Sequence, residues 1–332
     1  MSKIEWTDVT WNPVIGCAKV SAGCKNCYAE TMAARVALMQ KAQGKESPYL
    51  RVVDVERRRW NGRAVFLPER LSEPLNWRKP RRVFVNSMSD LFHEYITFEQ
   101  IATVFGVMAA TPHQTYQVLT KRPVRMLEFF RWLKSTAAGL GDIGGEVNEF
   151  DISVAWAREV IDVGDPDLQP WPLANVHLGV SVEDQAAADD RIPLLLQCPA
   201  ALRFLSVEPL LGPVDLGLMG TLPRSIEPRY TMTYERIGWV IVGGESGPGA
   251  RPCDVSWIRS VVEQCRDAGV PVFVKQLGAR PTFPLHTIDD LPADHLRMTK
   301  RDGRWHLVDM RDRKGADPSE WPEDLRVQEL PR

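Results

Sequence analysis

The sequence predicts an α/β protein built on a parallel β/α barrel, full or partial, of the TIM-like kind. Two observations predict it. Six short apolar runs recur along the chain, each ending in a polar cluster, and helix-period patterns separate several of them. The first run is Arg82-Val83-Phe84-Val85, leading into Asn86-Ser87-Met88-Ser89-Asp90, and the second is Tyr116-Gln117-Val118-Leu119, leading into Thr120-Lys121-Arg122-Pro123. Val176 to Val180 leads into Ser181-Val182-Glu183-Asp184, and Leu202 to Leu205 into Ser206-Val207-Glu208-Pro209. Trp239 to Val242 leads into Gly243-Gly244-Glu245-Ser246, and Val270 to Val274 into Lys275-Gln276. Runs this short and this apolar suit strands buried on both faces, as parallel sheets require.

The helices between them have their own signals. Thr97-x-x-Gln100 reads as a capping box ahead of Ile101, Val104, Phe105 and Met108, which share one helical face. Asp184 can cap a helix that turns Ile192, Leu195 and Leu196 inward. Trp257, Ile258, Val261, Val262 and Cys265 form a further stripe, with Gly269 where a helix stop is expected. An open dinucleotide-binding sheet competes, but no Gly-x-Gly-x-x-Gly follows the first run, so the barrel is favoured. In such barrels function collects at the carboxyl ends of the strands, where every one of these runs places polar residues.

The expected organisation is one barrel domain over residues 1–282 and a carboxyl-terminal extension over 283–332. Two insertions interrupt the barrel, a basic one at about 41–82 and an acidic one at about 135–172. Met219 to Arg236 is a further irregular insert. Asp302-Gly303 signals a hairpin in the extension, and the closing Trp321-Pro322-Glu323-Asp324-Leu325 reads as a surface segment. The 332 residues carry 41 basic and 43 acidic side chains, so the chain is near neutral. Between Lys41 and Arg82, however, twelve basic residues face five acidic ones, with Trp60 and Trp77 interleaved. That composition suits phosphate backbone and stacked bases, and equally an ordinary solvated face. No run has signal-peptide character or approaches the roughly 20 apolar residues of a membrane span, so a soluble, cytoplasmic protein without a membrane partner is expected.

Six cysteines are too few for a disulfide scaffold in a chain this long. Cys17-x6-Cys24-x2-Cys27 lies in a stretch bent by Asn12-Pro13, Gly16 and Gly23, just ahead of a helical run from Tyr28 to Met39. Three thiols this close suit metal ligation, with buried structural thiols as the alternative. Zinc needs a fourth ligand, and no other Cys or His lies nearby in sequence. A 4Fe-4S cluster held by three thiolates leaves one iron open to a small molecule.

Three cysteines near the amino terminus of a parallel barrel resemble the radical S-adenosylmethionine (SAM) superfamily, although six residues separate the first two here where that superfamily usually has three. A closer resemblance is to a phage-associated three-cysteine family of largely uncharacterised proteins. It is carried by Thr10-Trp11-Asn12-Pro13-Val14-x-Gly16-Cys17 with Gly23-Cys24-x-x-Cys27-Tyr28-Ala29, Ser87-Met88-Ser89-Asp90-Leu91-Phe92-His93 and Leu119-Thr120-Lys121-Arg122-Pro123. Arg203-Phe204-Leu205-Ser206-x-Glu208-Pro209, Val242-Gly243-Gly244-Glu245-Ser246-Gly247-Pro248 and Lys275-Gln276-x-Gly278 continue it. These resemblances imply a barrel of the radical SAM type with a 4Fe-4S cluster on Cys17, Cys24 and Cys27 and SAM as second cofactor. The superfamily's chemistry is one-electron cleavage of the sulfonium, followed by hydrogen abstraction from the substrate.

On that expectation Ser87 and Asp90 face the methionine end of SAM and Ser181 and Glu183 the ribose. Gly243, Gly244 and Glu245 offer close backbone approach and an acceptor. Lys121, Glu208 and Lys275 are the candidate catalytic groups. Lys121, Arg122, Arg251 and Lys275 are rim cations that suit a carboxylate, phosphate or nucleotide, or that neutralise Glu183, Glu208 and Glu245 as ion pairs. His93 reads as a helix-start or packing residue. The leading expectation is a radical SAM-like enzyme acting on a nucleotide or nucleic acid, in DNA repair or modification, with an electron donor as partner. The alternatives are a nucleic-acid-binding protein with a structural or redox-sensing cluster, and a zinc-stabilised barrel.

Overall fold

A computed structural model describes residues 4–141, 147–218, 236–283, 298–301, 304–307 and 310–331. The insert at 219–235 and the Asp302-Gly303 turn lie outside the described residues. The chain divides into two compact units, one of residues 1–180 with 197–202, the other of residues 181–196 with 203–332.

The amino-terminal unit begins with β1 (Val9–Trp11), β2 (Val14–Ile15) and α1 (Tyr28–Ala42). The basic segment then supplies β3 (Val53–Asp54), β4 (Arg59–Trp60) and β5 (Val65–Phe66) before β6 (Arg82–Val85). β3 and β4 pair as an antiparallel hairpin, and β5 pairs with β2. This segment is more than a charged face, because its Tyr49, Val52, Val53 and Leu67 bury against Ala29, Ala33, Ala34 and Ala37 of α1. Alanines at that spacing let the helix lie close on the hairpin. α2 (Phe98–Ala109) starts at the expected capping box: Thr97 Oγ1 accepts from the Gln100 amide at 3.3 Å, and Gln100 Oε1 accepts from the Thr97 amide at 3.1 Å. β7 (Thr115–Thr120), α3 (Pro123–Gly141), α4 (Glu149–Arg158) and β8 (Val176–Ser181) follow.

The acid-rich stretch therefore contains a helix, α4, that packs on α2. Gly106 makes this possible, since a Cβ there would collide with the Ser153 carbonyl. Thr103 Oγ1 donates across the contact to the Trp156 carbonyl at 3.2 Å. Phe105, Phe129, Phe130 and Trp171 stack beside it with ring centroids 5.1–6.3 Å apart.

The carboxyl-terminal unit holds α5 (Gln185–Leu196), β9 (Leu202–Val207), β10 (Ile237–Gly243), β11 (Cys253–Asp254), α6 (Val255–Ala268) and β12 (Val272–Gln276). Asp184 Oδ1 accepts from the Ala187 amide at the start of α5, and Gly269, with φ of 64°, ends α6 as expected. β13 (Pro281–Phe283), β14 (Met298–Arg301) and β15 (Arg304–Leu307) form antiparallel pairs, so the expected hairpin is present as β14–β15.

Seven strands share one sheet in the order β1-β6-β7-β8-β9-β10-β12, parallel at every described pairing. The fold is thus mixed α/β on a large parallel sheet. All six expected runs are in it, and β1, only three residues long, joins them.

The closing segment is not superficial. Trp321 and Leu325 are fully buried. Trp321 Nε1 donates to the Gly315 carbonyl at 2.9 Å, and Arg259 of α6 binds Asp324 at 2.5 Å. Val274 and Glu329 amides exchange hydrogen bonds between β12 and the tail, to Val327 and Val272 carbonyls at 2.8 and 3.0 Å. The last strand of the sheet would otherwise present an open edge, and the tail covers it. No described helix is long and apolar enough to cross a membrane.

Candidate metal centre

The cysteine loop leaves β2 through Gly16, whose φ of +87° is open to glycine. A Cβ there would also strike the Arg63 carbonyl and Val52 of the basic segment, so the loop is wedged against that segment. On its other side the Gly16 amide donates to the Met88 carbonyl at 3.0 Å, in the turn that follows β6. Asn12 Oδ1 fastens the same turn, accepting from Ser87 Oγ at 3.2 Å and the Met88 amide at 3.0 Å. The Tyr28 hydroxyl donates to the Ser87 carbonyl at 2.9 Å. The first turn of α1 and the β6 turn are therefore held together around the thiols.

Arg122, after β7, reaches into the loop. Its Nη1 lies 3.8 Å from Cys17 Sγ and 3.2 Å from Asp90 Oδ2, and its Nη2 donates to the Ala18 carbonyl at 3.1 Å. Asp90 is buried and saturated: it also accepts from Thr120 Oγ1, the Lys121 amide and the Phe92 amide at 2.8–3.1 Å. Its expected place at the strand ends is met, but its oxygens are engaged in organising the turn. His93 is buried too, with Nδ1 accepting from the Tyr95 amide at 3.3 Å, a packing role.

Burial pushes the Cys17 thiol up to about 12. The Asp90 carboxylate adds to that, and the Arg122 cation opposes it. Burial also raises Cys27, although the Ala29 and Glu30 amides of the α1 N-terminus favour its thiolate. Each sulfur feels the next: Cys27 acts on Cys17, and Cys24 on Cys27. Burial thus favours the neutral form of Cys17 and Cys27, and coordination to a metal reverses that.

The donor set is three sulfurs with one guanidinium beside Cys17. Thiolates are donors that both zinc and iron–sulfur clusters take. Among the described residues no three of His, Cys, Asp and Glu are gathered so as to hold a metal ion.

The carboxyl-terminal unit places its expected residues in three ion pairs. Glu183, fully buried, accepts from Arg191 of α5 at 2.7 Å, and that same guanidinium binds the Ser181 carbonyl at 2.9 Å. Lys275 Nζ donates to both oxygens of Glu208 at 2.7 and 2.9 Å, and Gln276 Nε2 adds a third bond to Glu208 at 2.9 Å. Glu245 receives the Arg251 amide, Nε and Nη2 at 2.6–2.9 Å. The close approach at Gly244 is to the chain itself, since a Cβ would collide with the Leu277 carbonyl. Sequence reasoning missed Arg191 and Glu30. No local signal marks Arg191, which reaches Glu183 only because α5 folds back along the end of β8. Glu30 could have been suspected as an acid on the alanine-lined face of α1.

The family described as "Protein of unknown function (DUF5131)" matches residues 1–312. No curated protein and no solved structure matches the chain.

Proposed function

The chain belongs to the DUF5131 family, and from the chemistry of its cysteine loop we propose that it is an iron–sulfur enzyme of the radical SAM type acting on a nucleotide or nucleic acid. One observation carries the reading: Cys17, Cys24 and Cys27 lie at the strand-end side of β1, beside the turns after β6 and β7, with Arg122 reaching Cys17. Cys17, Cys24 and Cys27 would hold a four-iron cluster there, and that cluster would supply one-electron cleavage of SAM. Arg122 offsets thiolate charge and fixes the loop through Ala18. Asp90 holds Arg122, Thr120 and Lys121 in register. Lys121 stands next to that network as the cation for an anionic substrate group.

A second reading is favoured by the ion pairs. Asp90, Glu183, Glu208 and Glu245 are each satisfied within the protein, so a SAM amino or ribose group must displace an existing partner. That favours a nucleic-acid-binding protein whose cluster is structural or redox-sensing. Anaerobic reconstitution with iron and sulfide, followed by EPR of the reduced protein with and without SAM, separates the two. A 4Fe-4S signal that changes with SAM supports the enzyme. A signal indifferent to SAM supports the second reading, and stoichiometric zinc without a cluster sinks both.

A further inference from the structure

The basic segment forms a shaped site beside the cysteine loop. A cavity of about 230 Å³ is lined by Ala18, Lys19, Glu30, Arg59, Trp60 and Gly62. That is smaller than the roughly 300–1,000 Å³ of sites that enclose a whole drug-sized ligand, and suits one planar group. Glu30 builds it. This buried carboxylate, one turn after Cys27, pairs with Lys19 at 3.0 Å and accepts from the Trp60 amide at 3.2 Å. It therefore ties the cysteine loop to the β3–β4 hairpin. Trp60 is half-buried, one part packed on the α1 core and another lining the cavity.

The hairpin tip carries Arg57 and Arg58 and β4 opens on Arg59, all exposed. Asp54 Oδ1 holds the tip by accepting from the Glu56 and Arg57 amides at 3.0 Å, and Arg58 sits at φ of 51°, unfavourable for a side chain of its size. Among the described residues the side chains of Arg51, Arg58, Arg59 and Arg63 make no ion pair. The Arg57–Asp54 pair is long, at 3.8 Å, and solvent-exposed. By contrast Trp77, the other tryptophan of the segment, already has the Arg81 guanidinium over its ring at 5.5 Å.

We propose that this hairpin and cavity bind single-stranded nucleic acid, with one base on Trp60 and the flanking phosphates on Arg57, Arg58, Arg59 and Lys19. A concave site with one aromatic face takes a splayed base, which a stacked duplex does not offer. The base then lies against Ala18, the neighbour of Cys17. That the bound strand is a substrate rests on the reading above; that it binds here does not.

The test is fluorescence anisotropy of a labelled oligothymidylate with the full chain, before and after cluster reconstitution, across a salt series. Affinity should fall with salt. R57A/R58A/R59A should flatten the logarithmic slope by about 2, because each phosphate neutralised on a single strand accounts for roughly 0.7 of it. Trp60→Leu, which keeps apolar packing and removes the ring, should weaken binding about tenfold or more, with Trp60→Phe close to wild type. Thermal melting of each variant checks the fold, and Arg59→Ala alone, on an exposed side chain, should still weaken binding. Heparin or duplex DNA binding as tightly as the single strand, or Trp60→Leu without effect, would overturn the proposal. Binding retained in a protein that forms no cluster sinks the enzyme reading only; a SAM-responsive cluster without oligonucleotide binding sinks this one only.

Discussion

The strand ends of the two units satisfy their polar groups in different ways. In the carboxyl-terminal unit every acid expected at a site has a cation: Arg191 on Glu183, Lys275 on Glu208 and Arg251 on Glu245. Among the described residues the thiols of the amino-terminal unit have longer and mostly uncharged contacts, the Ala29 and Glu30 amides at Cys27 included. Cys17 has Arg122 at 3.8 Å, Cys24 has Ser21 Oγ at 3.9 Å, and burial raises Cys17 and Cys27 toward the neutral form. A region whose charges cancel internally folds complete. A region of buried thiols gains most from a charge brought from outside, because the thiolate form becomes favourable only with that charge present.

The largest effect that could break this contrast is on metal. Reconstitution with iron and sulfide should raise the melting temperature of the wild type, and C17A/C24A/C27A should abolish both the EPR signal and the rise. A ligand at a thousand times its dissociation constant stabilises by about 4 kcal/mol. An equal rise in the triple variant would place the metal elsewhere.

Next comes Glu183→Gln, which leaves Arg191 charged and buried. It should cost about 3–5 kcal/mol in urea unfolding, whether or not iron is present. A neutral result would mean that the pair does not complete the unit.

Acid offers a third discrimination. Burial pushes His177 of β8 down to about 4, and burial with the nearby Arg122 cation lowers His93 to about 4. Both are neutral when folded, so the stability they contribute is full above about pH 6.5 and is lost as pH falls toward 4. For His177 the loss is of the order of 3 kcal/mol. Hydrogen exchange at pH 7 and pH 4.5 should show protection falling first around β7 and β8, and His177→Gln should reduce that dependence.

The smallest effect sharpens the comparison within the carboxyl-terminal unit. The Lys275 and Glu208 side chains are 20% and 18% exposed, against 8% and 1% for Arg191 and Glu183. Solvent screens the former pair, so Lys275→Ala should cost about 1 kcal/mol, well below Glu183→Gln. Equal costs would show that burial does not rank these pairs.

Local order was legible in the sequence because it is written between near neighbours. Six apolar runs with polar ends marked the parallel strands, Thr97 and Gln100 are three residues apart, and Gly269 stops its own helix. The cysteine spacing placed three thiols in one loop for the same reason. What the tertiary structure alone decided is partnership. Glu208 meets Lys275 across 67 residues, Arg122 meets Cys17 across 105, and Trp321 is buried where its polar neighbours suggested a surface tail. Each side chain declares its charge or bulk in the sequence. Which opposite charge cancels it, or which edge it covers, depends on strand ends brought together by the order of the sheet, and no local period carries that order.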